Sequence, residues 1–247
     1  MTGGAGGLGA ATVNHLVGLG VGVAIFDFAA NRAAELASSI GDKAVAVGGD
    51  VNDDDAVAAA IEAASSVGTL SIVVNVAGGG VGGGRTVGER REPHPLDSFA
   101  RTMSLNAVGT FNVARLVAAA MATNRPDDDG QRGVLVHTAS IAAMEGQAGQ
   151  VAYAAAKAAI VGMTLPMARD LAPLGIRVCT IAPGLFDTPL LAALPEEARQ
   201  ALGAGIPHPS RLGRPEEYAR MVAEIVANPM LNGETIRLDG ALRMPPK

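Results

Sequence analysis

Short apolar runs alternate along the chain with longer alanine-rich stretches, and this alternation constrains the fold more than any other feature. The runs near Val21–Phe26, Ala44–Val47, Leu70–Asn75, Val134–Thr138, Arg177–Ile181 and Glu234–Leu238 have the length of strands. Between them, Leu8–Leu19, Asn31–Ile40, Asp53–Val67, Leu96–Met121 with a break, Val151–Leu171 and Pro215–Ala227 read as helices. Apolar strands separated by helices predict an α/β fold, a doubly wound parallel sheet covered on both faces. Pro166, inside the fifth helix, predicts a kink there.

The 247 residues suit one domain of this kind, residues 1–247, and no repeat or linker divides them. Nineteen basic against 24 acidic residues give a net charge of −5, so no nucleic-acid partner and no anionic membrane surface is expected. Cys179 is the only cysteine, which favours a reducing compartment, and a cytoplasmic location is expected. Residues 1–26 are free of Lys, Arg, Asp and Glu, yet they hold eight glycines plus Asn14 and His15, so neither a membrane span nor a signal peptide is read there. His15, His94, His137 and His208 lack metal-ligand spacing, so no metal is expected. The glycine-rich run Gly78–Gly84 and the segment on to Pro95 read as a surface loop.

Three clusters can carry chemistry. Thr2-Gly3-Gly4-Ala5-Gly6-Gly7-Leu8-Gly9 stands where a helix begins, and Gly3, Gly7 and Gly9 have the spacing T-G-x-x-x-G-x-G. Bare backbone N–H groups at a helix N-terminus are what a nucleotide diphosphate needs, although a glycine turn can also open a helix without a ligand. Asp27 ends the next strand 18 residues after Gly9, where a carboxylate can accept from an adenosine ribose and would repel a 2′-phosphate. Capping of the following turn is the other reading of Asp27. Asp50 and Val51 close the strand after that, at the same end of a parallel sheet.

Tyr153 and Lys157 are four apart in a helical stretch and share one face. A phenol has a reference pKa of about 10, and lowering it by about three units requires roughly 4 kcal/mol of preference for the phenolate. A nearby ammonium, together with a positively charged nicotinamide, could supply that preference; a plain surface pair is the alternative. Ser140 follows a strand and precedes Tyr153 by 13 residues, so the two could meet on one substrate oxygen. Asn75, Val76 and Asn106 add polar or backbone groups at strand and helix positions where burial demands a partner.

In this order, T-G-G-A-G-G-L-G, Asp27, Asp50-Val51, N-V-A-G, Asn106, Ser140 and Y-A-A-A-K resemble the short-chain dehydrogenase/reductase family along the whole chain. Runs such as GQRGVLVHTASIAAMEGQAGQVAY and TIAPGLFDTPLL resemble the branch of that family that acts on 3-hydroxyacyl-CoA. The resemblance implies a Rossmann fold, NAD as cofactor and oxidation of a short or branched 3-hydroxyacyl-CoA to the 3-oxoacyl-CoA. It implies that Tyr153 is the general acid/base, that Lys157 holds the nicotinamide ribose and lowers the tyrosine pKa, that Ser140 orients the substrate oxygen, and that Asn106 supports a proton relay. Gly3, Gly6, Gly7, Leu8, Gly9, Asp27, Asp50, Val51, Asn75, Val76, Phe186 and Thr188 match cofactor-binding positions, with Tyr153 and Lys157 beside them. The segment 185–214 is expected to cover the substrate, and a homotetramer is expected. A broader alcohol, steroid or 3-oxoacyl reductase is the nearest alternative; a catalytically silent NAD-binding scaffold is another, disfavoured by the intact Ser140, Tyr153 and Lys157.

One departure stands out. The family places an apolar strand before the Thr-Gly of the glycine loop, and here only Met1 precedes it. The first strand is therefore expected to be missing, with its neighbours Val21–Phe26 and Leu70–Asn75 left facing each other unpaired, the natural protein expected to begin upstream, and NAD binding by this chain expected to be weakened.

Overall fold

The computed structural model describes residues 1–80 and 83–246, so Val81 and Gly82 of the expected loop and the last residue of the expected domain, Lys247, lie outside the described residues. The alternating pattern folds as β-α units, with strands β1 (Val23–Asp27), β2 (Ala44–Gly48), β3 (Ile72–Asn75), β4 (Gly133–Thr138), β5 (Ile176–Pro183) and β6 (Thr235–Leu238). All strand pairs are parallel, and β4 and β5 are buried along their whole length, as both-face coverage requires.

Helices α1 (Gly7–Gly18), α2 (Ala30–Ile40) and α3 (Asp54–Ser65) follow the glycine loop, β1 and β2. Asp53 caps α3 by accepting from the N–H groups of Asp55 and Ala56, and Asp54 and Asp55 place charge at the positive end of the helix. The expected break in the long central helix is real. Helix α4 (Leu96–Met103) passes through one π-helical turn, Ser104–Val108, into α5 (Gly109–Met121). The short α6 (Ala142–Glu145) precedes α7 (Val151–Leu171), which runs on through Pro166. Helices α8 (Pro189–Ala192) and α9 (Glu196–Ala204) lie within the segment 185–214. Helix α10 (Pro215–Ala227) starts with proline at its first position, where the missing N–H costs nothing.

Two apolar layers sandwich the sheet. On one face Leu135 and Val73 pack with Val113, Val117, Met121 and Met167 from α5 and α7. On the other, Val136, Cys179 and Ile181 pack with Tyr218, Val222 and Ile225 of α10. Helix α7, with residues to Leu174, is long and apolar enough to cross a bilayer, but here it packs against β5 and α4.

The sheet is in two strand-paired groups joined at the N-terminal residues. β1 and β2 pair with each other, β3 to β6 form a second group, and among the described residues Thr2 alone bridges them, opposite Phe26 on one side and Asn75 on the other. The expectation of wholly unpaired edges is corrected. Thr2 N–H donates to Val74 O at 3.0 Å, Val76 N–H donates to Thr2 O at 3.2 Å, and Phe26 N–H donates to Met1 O at 2.9 Å. The Met1 amine donates to Ala24 O at 2.9 Å, and its burial lowers its pKa to about 6. The carboxyl ends of β1 and β3, which border the glycine loop, are thus joined by two residues of chain.

Candidate active site

A cleft of about 900 Å³ runs across the carboxyl ends of the strands. One end is built by the glycine loop. Gly3 has φ +60° and lies so close to the turn after β3 that a Cβ would sit 2.7 Å from Ala77 N, a place only glycine fills. Helix α1 then starts with no side-chain cap, leaving the N–H groups of its first turn toward a cleft that Gly6, Gly7 and Leu8 line. Asp27 Oδ2 accepts from Ala5 N at 2.9 Å and Oδ1 accepts from Ala29 N at 2.9 Å. Both readings of this residue therefore meet: it caps the next turn, braces the glycine loop, and still faces the cleft with spare acceptor capacity on each oxygen. Asp50, Val51 and Val76 line the same region.

At the other end β4 delivers Ser140 and α7 delivers Tyr153 and Lys157, and all three border the cleft. Lys157 Nζ lies 5.7 Å from the centre of the Tyr153 ring and donates to Thr138 O at 2.9 Å. Burial lowers the Lys157 pKa to about 8. Burial also raises the Tyr153 pKa, with the Ser140 hydrogen bond pulling the other way. In the chain by itself the expected lowering of the tyrosine is therefore outweighed by desolvation, and further positive charge is needed to reach a phenolate near neutrality.

Three predicted residues lie behind the cleft rather than on it. Asn106, in the π-helical turn, donates to Gly79 O and Thr102 O, both at 2.9 Å, and accepts from Gly79 N at 3.0 Å. Its amide is committed to backbone, and it fixes Gly78–Gly79 against Lys157: a Cβ on Gly78 would meet Asn106 Oδ1 at 2.5 Å and Lys157 Nζ at 3.2 Å. Asn75 is buried between Thr2 Oγ1, which donates to its Oδ1 at 3.2 Å, and His137 Nδ1 at 3.1 Å. Gly9 faces the Gly3 carbonyl, which occupies the space a side chain would need. Asn75 and Gly9 shape the loop and leave contact with the cleft to their neighbours.

Phe186 and Thr188 line the cleft as expected, with Leu185 and Leu191 from the covering segment. The Gly78–Pro95 stretch, expected at the surface, contributes Gly83, Gly84 and His94 to the wall, and Gly84 N–H donates to Gly149 O at 2.9 Å. Sequence reasoning also missed Gln150 and Met244, which line the cleft, and Arg32, whose Nη2 donates to Ala5 O at 2.8 Å. No local motif marks these three residues, because chain folding alone brings them together. Among the described residues no group of three metal-ligating side chains occurs.

The profile of the short chain dehydrogenase family matches residues 1–199. A 3-hydroxyacyl-CoA dehydrogenase type-2 of Drosophila melanogaster is 52% identical over 247 residues, covering 100% of this chain and 97% of the relative. The chain belongs to the short-chain dehydrogenase/reductase family. The crystal structure of 3-hydroxyacyl-CoA dehydrogenase type-2 from Mycobacterium avium superposes with a TM-score of 0.96 at 48% identity, covering 100% of this chain and 95% of that one. A 3-ketoacyl-(acyl-carrier-protein) reductase from Brucella melitensis, solved with NADH, reaches 0.85 at 29% identity, covering 98% and 96%. As a short-chain dehydrogenase, the chain is an oxidoreductase with a Rossmann-like α/β fold.

Proposed function

We propose that this short-chain dehydrogenase oxidises the 3-hydroxyl of a short or branched 3-hydroxyacyl-CoA to the 3-oxo group with NAD. The observation that carries the reading is the meeting of Ser140, Tyr153 and Lys157 at one end of a cleft whose other end holds an uncapped helix start and a strand-terminal aspartate. About 50% identity over full length to relatives named 3-hydroxyacyl-CoA dehydrogenase type-2 supports the substrate class. The NADH in the Brucella structure supports the cofactor.

The residues fit a nicotinamide dinucleotide. Gly6, Gly7 and Leu8 would hold the diphosphate, Asp27 the adenosine ribose, Asp50, Val51 and Val76 the adenine side, and Lys157 the nicotinamide ribose, with Phe186 and Thr188 closing over it. Bound NAD supplies the hydride acceptor and a positive charge near Tyr153. Ser140 Oγ orients the substrate oxygen, and Tyr153 Oη takes the hydroxyl proton. Lys157 Nζ stabilises the phenolate, and Asn106 keeps the backbone beside Lys157 in place. The covering segment 185–214 excludes water. Placement of the enzyme in the cytoplasm as a homotetramer belongs to the same proposal.

A substrate panel tests it. With purified protein and NAD, 3-hydroxybutyryl-CoA and a branched homologue should be turned over with kcat/KM at least tenfold above a hydroxysteroid and a simple secondary alcohol, and NADP should serve poorly. A preference for the steroid, or for NADP, would favour the broader reductase reading, which the apolar Leu185, Phe186 and Leu191 of the cleft also accommodate. NAD binding without turnover of any member would leave a silent scaffold.

A further inference from the structure

We propose that Met244, held by the Arg237–Arg243 segment behind it, forms part of the wall of the substrate end of the cleft and sets which acyl chain lengths fit; the inference rests on the acyl-substrate reading above. Met244 lines the cleft and, like Leu185, packs against the buried cluster Ile141, Ile206 and Leu242. Ile141 adjoins Ser140, and Leu185 and Ile206 belong to the covering segment, so one apolar cluster joins the oxygen-orienting serine, the cover and the C-terminal tail. A thioether on that wall offers bulk without polar groups, which suits alkyl carbons.

A wall that selects by length must be held, and an ionic clamp holds this one. Arg237 donates to Asp239 Oδ2 through Nε at 2.8 Å, with its Nη2 2.6 Å from the same oxygen, and Nη1 donates to Glu145 Oε1 at 2.8 Å. Glu145 Oε2 accepts from Met244 N at 3.1 Å, and Arg243 Nε lies 3.2 Å from Oε1. Ala148 N donates to Pro246 O and Gln147 Nε2 to Pro245 O, both at 3.0 Å. Isolated surface pairs contribute little, but here the Asp239 side chain is 7% exposed and Arg237 spans two carboxylates, so the pairs act as a network. Glu145 is also five residues from Ser140 in sequence, and Ala142 N donates to Ser140 Oγ at 3.2 Å, so the clamp and the serine share one short segment.

The test measures kcat/KM across two ladders of graded chain length, one of 3-hydroxyacyl-CoA thioesters and one of the matching 3-hydroxy methyl esters, for the parent, Met244→Ala, Met244→Phe and Glu145→Gln. Met244→Ala should move the preference toward longer chains and Met244→Phe toward shorter ones, each by roughly tenfold in the ratio of longest to shortest, the scale of one or two methylenes in an apolar pocket. Glu145→Gln should raise KM for the acyl substrate roughly fivefold and the KM for NAD far less. A general loss of folding would lower both ends of a ladder together and leave the ratio unmoved. Ratios unchanged in both Met244 variants would overturn the wall even if Glu145→Gln fails to fold. A parent active on the esters but not on the thioesters would overturn the acyl-CoA reading, and opposite length shifts on the ester ladder would still support the wall. A parent inactive on both ladders would overturn both.

Discussion

Strands β3 to β6 pair along their lengths and carry Thr138, Ser140 and, through α7, Tyr153 and Lys157, whereas β1 and β2 pair with each other and join the rest through Met1–Gly4. Thr138 ends the fully buried β4, Ser140 follows it, and Tyr153 and Lys157 stand on one long packed helix, with Ser140 Oγ held by Ala142 N and Lys157 Nζ by Thr138 O. The nucleotide end depends on local contacts: Thr2 with Asn75, Asp27 with Ala5 and Ala29, and Arg32 with Ala5. The difference teaches that proton transfer and cofactor affinity are held by separate sets of contacts. Damage to the thinly joined half should cost affinity before it costs chemistry.

Asp27→Ala gives the larger effect on the weaker half. It frees the Ala5 and Ala29 amides and removes the carboxylate proposed to meet the ribose, so the KM for NAD should rise about tenfold, in line with losing hydrogen bonds to a charged group. The fall in kcat should be far smaller, and discrimination against NADP should shrink. Steady-state kinetics with both cofactors measure this; an equal drop in kcat would mean that the halves are not separable.

The smaller effect is on stability against pH. The buried Met1 amine has a pKa of about 6 instead of 8.0, so between these values the unfolded chain binds more protons than the folded one. Its contribution is fully present above pH 8 and is lost as pH falls toward 6, a loss of about 2–3 kcal/mol by linkage. His137, lowered to about 4 by burial, adds a further loss only below its ordinary value of 6.5. Urea midpoints of this chain should therefore be lower at pH 6 than at pH 8. Equal midpoints in the parent at the two pH values would contradict burial of the amine.

Strands, helices and the break before Gly109 were legible because periodicity and length mark them. Ser140, Tyr153 and Lys157 were legible for another reason, since their order and spacing form a pattern that no single residue carries. Met244, Gln150 and His94 were not, because their places depend on how the tail and the segment from Gly84 meet the turn Ala148–Gly149 that follows α6, and no local chemistry records a long-range contact. Arg32 was not legible because it stands five residues beyond Asp27 in sequence, and only the first turn of α2 carries its guanidinium back to the glycine loop. Asn106 shows the converse: the residue was found, but only its three backbone hydrogen bonds reveal that it acts on the Gly78–Gly79 backbone.

The most direct test is Tyr153→Phe, with two readouts on the same sample: NAD affinity by equilibrium titration, and NADH formation from 3-hydroxybutyryl-CoA. The loss of one hydroxyl from the braced half should lower kcat at least a hundredfold, as removal of a general acid/base does, while the dissociation constant for NAD stays within about threefold. A variant that still turns over near the parent rate would contradict the role of Tyr153, and one that loses NAD as fast as it loses activity would contradict the separation of the two halves.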